Sequence, residues 1–293
     1  NDIVLGFDKV EDYLSDEYLA GYPYFGAAIG RYANRIKNGE FEIDGKKYEV
    51  AKNKITDHLH GGNEGFDKKV WQYVSGSDNT LSLNYKSKDG EEGYPGNLKV
   101  ELRFILNDKN ELSYEYFAQT DKTTAVNLTH HSYFNLDNGT GSISAHQVRI
   151  YSSSILEQDD NFVVNGNPVS VANNLYDFRQ PKRIDKDWNP HDGYDQSFVL
   201  DDQSSNLKLA AEASSVQSKL KLEVYTTEPL VHFYTGKWIP VIKGSYGNSY
   251  APFSGFCFET QKHPNAVNIP HFPNTILKPG KTYHTKTCYR VIS

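Results

Sequence analysis

The stretch Lys99-Val100-Glu101-Leu102-Arg103-Phe104-Ile105-Leu106-Asn107-Asp108-Lys109-Asn110-Glu111-Leu112-Ser113-Tyr114-Glu115-Tyr116-Phe117-Ala118 decides the fold class. Val100, Leu102, Phe104 and Leu106 fall on one face, with Lys99, Glu101 and Arg103 on the other. After the polar turn Asn107–Asn110 the alternation resumes with Leu112, Tyr114, Tyr116 and Ala118. A period of two is the signature of half-buried antiparallel strands.

The same pattern extends in both directions. Leu81, Leu83 and Tyr85 share a face upstream, and Leu222, Val224 and Thr226 repeat the spacing before Glu228-Pro229. Near the start, Phe41-Glu42-Ile43, Asp44-Gly45 and Lys46-Lys47-Tyr48-Glu49-Val50 read as a hairpin, because Asp-Gly between alternating runs favours a tight turn. Glu11-Asp12-Tyr13-Leu14 reads as a short helical turn, and Gly21-Tyr22-Pro23-Tyr24 as a loop. The Ser-rich pieces at 151–154 and 214–218 read as strand edges or loops. With no long helical period and no repeat, many short strands predict one all-β domain over residues 1–293, a sandwich or barrel.

Composition narrows the class. Of 293 residues, 38% are hydrophobic and 23% charged, as in a folded globular chain. The net charge of -6 and the lack of a basic run argue against a nucleic-acid partner. No apolar stretch has the length of a membrane span. No signal-peptide pattern opens the chain, and with no Met in it Asn1 is not a translation start. Cys257 and Cys288 are too few for a disulfide framework and are expected to be free, half-buried thiols, which fits a cytoplasmic setting. The 21 Tyr and 15 Phe suit strands, and Tyr on a concave surface suits sugars, which offer both C–H faces and hydroxyls.

Proton-moving groups concentrate in three places. Thr129-His130-His131-Ser132-Tyr133-Phe134-Asn135-Leu136 is the densest; the others are His58-Leu59-His60-Gly61-Gly62 and Phe256-Cys257-Phe258-Glu259-Thr260-Gln261. On a strand, Phe256 and Phe258 point one way, Cys257 and Glu259 the other. A carboxylate among apolar neighbours makes a better base, while an ordinary rim glutamate fits the pattern equally well. If their stretch is extended, His58 and His60 share a face. His58, His60, His130 and His131 with a Glu also fit a metal site, although no tight ligand motif accompanies them. Asp195, in Gly193-Tyr194-Asp195, is either a turn former or a holder of hydroxyls. Arg35 and Asn34 are candidate donors, and Arg35 is equally able to pair with an acid.

In order along the chain, Gly30-Arg31-Tyr32-Ala33-Asn34-Arg35-Ile36, the His58–Gly62 stretch, Gly93-Tyr94-Pro95-Gly96, His131-Ser132-Tyr133-Phe134-Asn135-Leu136, Gly193-Tyr194-Asp195, Phe233-Tyr234-Thr235-Gly236 and Glu259-Thr260-Gln261 resemble the galactose mutarotase (aldose 1-epimerase) family. The resemblance runs to Leu277-Lys278-Pro279-Gly280. It implies a large antiparallel β-sandwich with an open cleft for a free hexose such as galactose or glucose. It implies Glu259 as general base on the anomeric hydroxyl, His131 as general acid on the ring oxygen, and His60 assisting there. Asn34, Arg35, Asp195, Tyr133 and His232 are expected around the sugar. No cofactor and no metal are expected, and the chain is expected to act as a monomer or homodimer.

The chain departs from the family pattern at several points. The family usually has further strands before the segment resembling Asp2–Phe7, so an exposed strand edge is expected here. His130 stands where Asn is usual, His232 where Gln is usual, and Gln196 where His is frequent. Three rival readings stand beside the isomerase. A carbohydrate-binding module would not need Glu259 and His131 together. A metal-dependent sugar isomerase would use His58, His60, His130 and His131. A mutarotase for sugar phosphates would need more cations than Arg31 and Arg35.

Overall fold

The structure, a computed structural model, describes residues 2–293. Two antiparallel sheets face each other. The larger has nine strands, in the order Lys182–Arg183, Gln147–Ile150, Lys208–Ser214, Lys221–Thr226, Tyr283–Ile292, Glu111–Thr120, Leu98–Asn107, Thr80–Ser87 and Gln72–Ser77. The smaller has six, in the order Tyr133–Phe134, Phe256–Gln261, Leu230–Tyr234, Asp195–Val199, Ser154–Gln158 and Val164–Ser170. Short two-stranded ribbons, including the expected hairpin Glu40–Ile43 with Lys46–Glu49, pack around them.

The alternation read from the sequence builds the core. Val100 and Leu102 of the large sheet meet Phe198, Val231, Phe233, Phe256 and Phe258 of the small one in a single cluster. Phe233 and Phe258 stack with centroids 5.3 Å apart. Full burial of one such side chain is worth about 1.5–3 kcal/mol, so this apolar face holds the small sheet in place. Leu106 and Leu112, by contrast, are 49% and 40% exposed. They face each other at the hairpin end, where the strands run past the packed core.

The inner strands of the small sheet, Phe256–Gln261, Leu230–Tyr234 and Asp195–Val199, are covered on both faces. The sheet's inner side is apolar, while its outer side carries Asp195, Ser197, His232, Tyr234, Cys257 and Glu259, covered by loops. Its edge strand Tyr133–Phe134 is shielded by the N-terminal segment: Val4 bridges Phe134, and Leu5 N–H donates to Tyr133 O. At the other sheet's edge, Gln72–Ser77 is exposed at every residue. The expected helical turn is a 3₁₀ helix over Val10–Leu14. Both thiols are free and more deeply buried than expected: Cys257 lies within the small sheet, 0% exposed, and Cys288 lies on the outer face of the large sheet, 5% exposed between Tyr225 and Ser113. No helix among the described residues is long and apolar enough to cross a membrane.

Candidate active site

A cleft opens on the outer face of the small sheet. Its floor is built by strand alternation. Phe256 and Phe258 turn into the core, so Cys257 and Glu259 turn out, as the sequence predicted. Glu259 is 2% exposed, and its Oε1 lies 3.4 Å from His131 Nε2. Its Oε2 is buried with no hydrogen-bond partner among the described residues. A buried, half-satisfied carboxylate is costly unless a ligand completes it.

His131 ends the strand Thr129–His131, which pairs with Ala27–Ile29. Cys257 Sγ lies 3.5 Å from its Nδ1, and the Tyr133 ring packs 5.0 Å away. His60 reaches the cleft by another route. Its φ is +50°, a left-handed conformation rare for a non-glycine residue. The chain turns sharply there because Gly61 follows, where any Cβ would overlap the Gly30 carbonyl. His60 N–H donates to Asn34 O, and Asn34 N–H donates to His60 Nδ1. Nδ1 is therefore an acceptor, which assigns the proton to Nε2. Burial, then the neighbouring His131 and Arg35, push the His60 pKa well below 6.5, so the ring is a neutral donor. Groups on His60, His131 and Glu259 all lie within 4.8 Å of one another.

The remaining expected residues also line this cleft. Asn34 and Arg35 follow each other on its wall, with the Arg35 guanidinium 5.1 Å from the Phe162 ring. Asp195 and His232 form a pair, Oδ1 to Nε2, 2.8 Å apart. Tyr133 lies beside His131.

Other histidines lie elsewhere. His58 is not on the same face as His60, because the turn at His60 ends the extended stretch. Its ring nitrogens bond to Tyr94 Oη and Ala51 O, 2.7 Å each. His130 points into the sandwich against Phe104 and Tyr114. The four-histidine metal set is therefore not assembled; only His60, His131 and Glu259 converge. That trio has the donor types of a divalent-cation site, but His60 already uses Nδ1. Arg31 is also apart, buried at 2% and donating to Ser87 Oγ and to the carbonyls of Pro95, Gly96 and Lys88. The Gly93–Gly96 motif therefore serves the scaffold.

Sequence reasoning missed several wall residues. Tyr24 packs against both His60 and His131, and Tyr234, Trp238, Phe162 and Lys54 complete the rim. The loop Gly21–Tyr24 was legible as a loop, and its two tyrosines were the available signal.

Fold and cleft together define a β-sandwich protein with a buried carboxylate–imidazole pair at the floor of an open cleft. The profile of the family described as aldose 1-epimerase matches residues 1–290. The galactose mutarotase of Bos taurus is 44% identical over 99% of this chain and 84% of its own length. The solved GalM/aldose epimerase homologue from C. elegans superposes with a TM-score of 0.91 at 30% identity, covering 100% of this chain and 88% of that one. The galactose 1-epimerase from Lactobacillus acidophilus NCFM follows at a TM-score of 0.84 and 26% identity, covering 99% of this chain and 85% of that one. The chain belongs to the aldose 1-epimerase family.

Proposed function

We infer that this chain interconverts the α and β anomers of free hexoses, galactose and glucose among them, by acid–base opening and reclosure of the ring. The observation that carries the reading is the Glu259–His131 pair, 3.4 Å apart and buried, with Glu259 Oε2 unsatisfied. The anomeric O1 and the ring O5 sit on the same carbon. A base for one and an acid for the other must therefore be close neighbours.

In this reading Glu259 takes the proton from O1 while His131 gives one to O5. The C1–O5 bond breaks and C1 becomes an aldehyde. Rotation about C1–C2 presents the other carbonyl face, and closure returns both protons with the roles reversed. His60, neutral, donates a hydrogen bond at O5. Asn34, Arg35 and Asp195 take the sugar's hydroxyls, and Tyr133 and His232 flank them. No covalent nucleophile enters the scheme. The relatives named for galactose support that sugar as a substrate. We further propose that residues 1–293 act as one domain, as monomer or homodimer. The charge of -6 and the two free thiols support a cytoplasmic setting without nucleic acid.

The test is polarimetry on freshly dissolved α-D-galactose with wild type and Glu259→Gln. Acceleration by the first, lost in the second, supports the reading. A binding module would accelerate with neither.

A further inference from the structure

Asp195 and His232 form a second buried pair in the cleft, and strand register explains how they meet. His232 stands opposite Ser197 on one neighbouring strand and opposite Glu259 on the other. Asp195, two residues before Ser197, is then its diagonal neighbour on the same face. Both ring nitrogens of His232 are engaged within the protein. Nε2 lies 2.8 Å from Asp195 Oδ1, and Nδ1 lies 2.9 Å from Ser197 Oγ. The imidazole therefore has no spare polar atom for a sugar hydroxyl. The Asp195 side chain, 22% exposed against 6% for His232, is the more open of the two to the cleft.

We propose that His232 is a positioning residue: it acts on the sugar through Asp195, occupying Oδ1 and fixing the carboxylate so that Oδ2 receives a hydroxyl. This deepens the hexose-cleft reading and rests on it. The hold is strongest when His232 is an imidazolium, because a charge-assisted hydrogen bond is about twice as strong as a neutral one.

The charge state follows from everything that faces the ring. Asp195 and Ser197 approach from one strand and Glu259 from the other. Arg35 comes from Arg35–Ile36, His60 from the following turn, and Tyr234 from the same strand. The two carboxylates favour the cation, Arg35 opposes it, and His60 is neutral. Burial lowers the His232 pKa, but the hydrogen bond and charge of Asp195 outweigh it and hold the pKa above 6.5. At Asp195 burial is the largest influence and raises the pKa, but the His232 hydrogen bond together with the charges of His232 and Arg35 overcomes it and keeps the carboxyl below the usual range. As pH rises through the His232 titration the charge is lost, Asp195 loosens, and sugar binding weakens. Glu259 also faces the ring, so kcat follows this ionisation too, but less than KM does, because no hydrogen bond joins the two side chains among the described residues.

Two measurements test this. In ligand-free protein, the His232 ring resonance, assigned by its loss in His232→Gln, is expected to titrate above 6.5 and to fall in Asp195→Asn and Ser197→Ala. A ring that titrates below 6.5, or that Asp195→Asn leaves unmoved, overturns the proposal. Second, KM for α-D-galactose is followed against pH. Wild type is expected to show a several-fold rise across that titration. His232→Gln is expected to give a flat, raised KM, with kcat changed less than KM. A wild-type KM–pH curve in His232→Gln, or loss of kcat at constant KM, contradicts it. Should His232→Gln not fold, Ser197→Ala is expected to move the KM inflection to lower pH, and an unmoved inflection overturns the proposal. Should the protein not mutarotate at all, the hexose reading falls, while the ligand-free titration still decides whether Asp195 holds His232 as a cation.

Discussion

His131 Nε2 faces Glu259 Oε1 at 3.4 Å, although the two residues are 128 positions apart in the chain. One closes the strand Thr129–His131; the other lies in Phe256–Gln261. A positioned acid or base contributes about 10²–10⁴-fold to a rate. Glu259→Gln and His131→Asn are each expected to lower kcat by about that factor. Circular dichroism and the melting temperature should stay near wild type, since neither side chain belongs to the apolar core. Near-normal rates in both variants would remove the site assignment.

His60 is expected to act without titrating. Its Nδ1 accepts from Asn34 N–H, and burial keeps it neutral. Its ring resonance should not move between pH 8 and 6, and His60→Ala should reduce kcat/KM by about 10-fold or more, because one positioned donor is lost. An acid limb in the wild-type kcat profile that disappears in His60→Ala would contradict this.

The two arginines of Gly30–Ile36 should separate cleanly. Arg31 donates to three backbone carbonyls and to Ser87, so Arg31→Met strands buried acceptors and should cost about 3 kcal/mol or more in urea unfolding. Arg35→Met should leave unfolding within about 1 kcal/mol and raise KM for the sugar instead. The reverse pattern would mean that the two roles are exchanged.

Acid should destabilise the fold through buried imidazoles. Burial lowers His58, His130 and His263 to about 4 each. The unfolded chain takes protons on these rings near 6.5, the folded chain only near 4. Stability is therefore lost as pH falls through that window, by up to about 1.4 kcal/mol per pH unit for each ring. His263 is the cleanest probe, because its Nδ1 is buried without a partner among the described residues and its ring packs 4.6 Å from Phe272. His263→Phe should flatten the slope between pH 6 and pH 4.5 by one proton's worth. An unchanged slope in urea titrations would show that His263 does not contribute.

How far the sequence reached follows from which features are periodic. The long strands and the two-sided reading of Phe256–Glu259 were legible, because alternation is a property of the strand itself. The fate of His58 was not: its separation from His60 depends on one left-handed residue, His60 at φ +50°, which no period marks. Arg31 and Arg35 looked alike in sequence and part company because only Arg31 meets the carbonyls of Pro95 and Gly96, over 60 residues away. Tyr24, Phe162 and Trp238 come from loops, whose positions are set by the sheets beneath them and leave no pattern of their own.

The most direct test of the account is polarimetry on freshly dissolved α-D-galactose and α-D-glucose, with and without the protein, in buffer containing EDTA. The account predicts faster decay to the same final rotation, because protons and not a metal carry the reaction. A rate equal to that of buffer from folded protein, or activity that EDTA removes and a divalent cation restores, would contradict it.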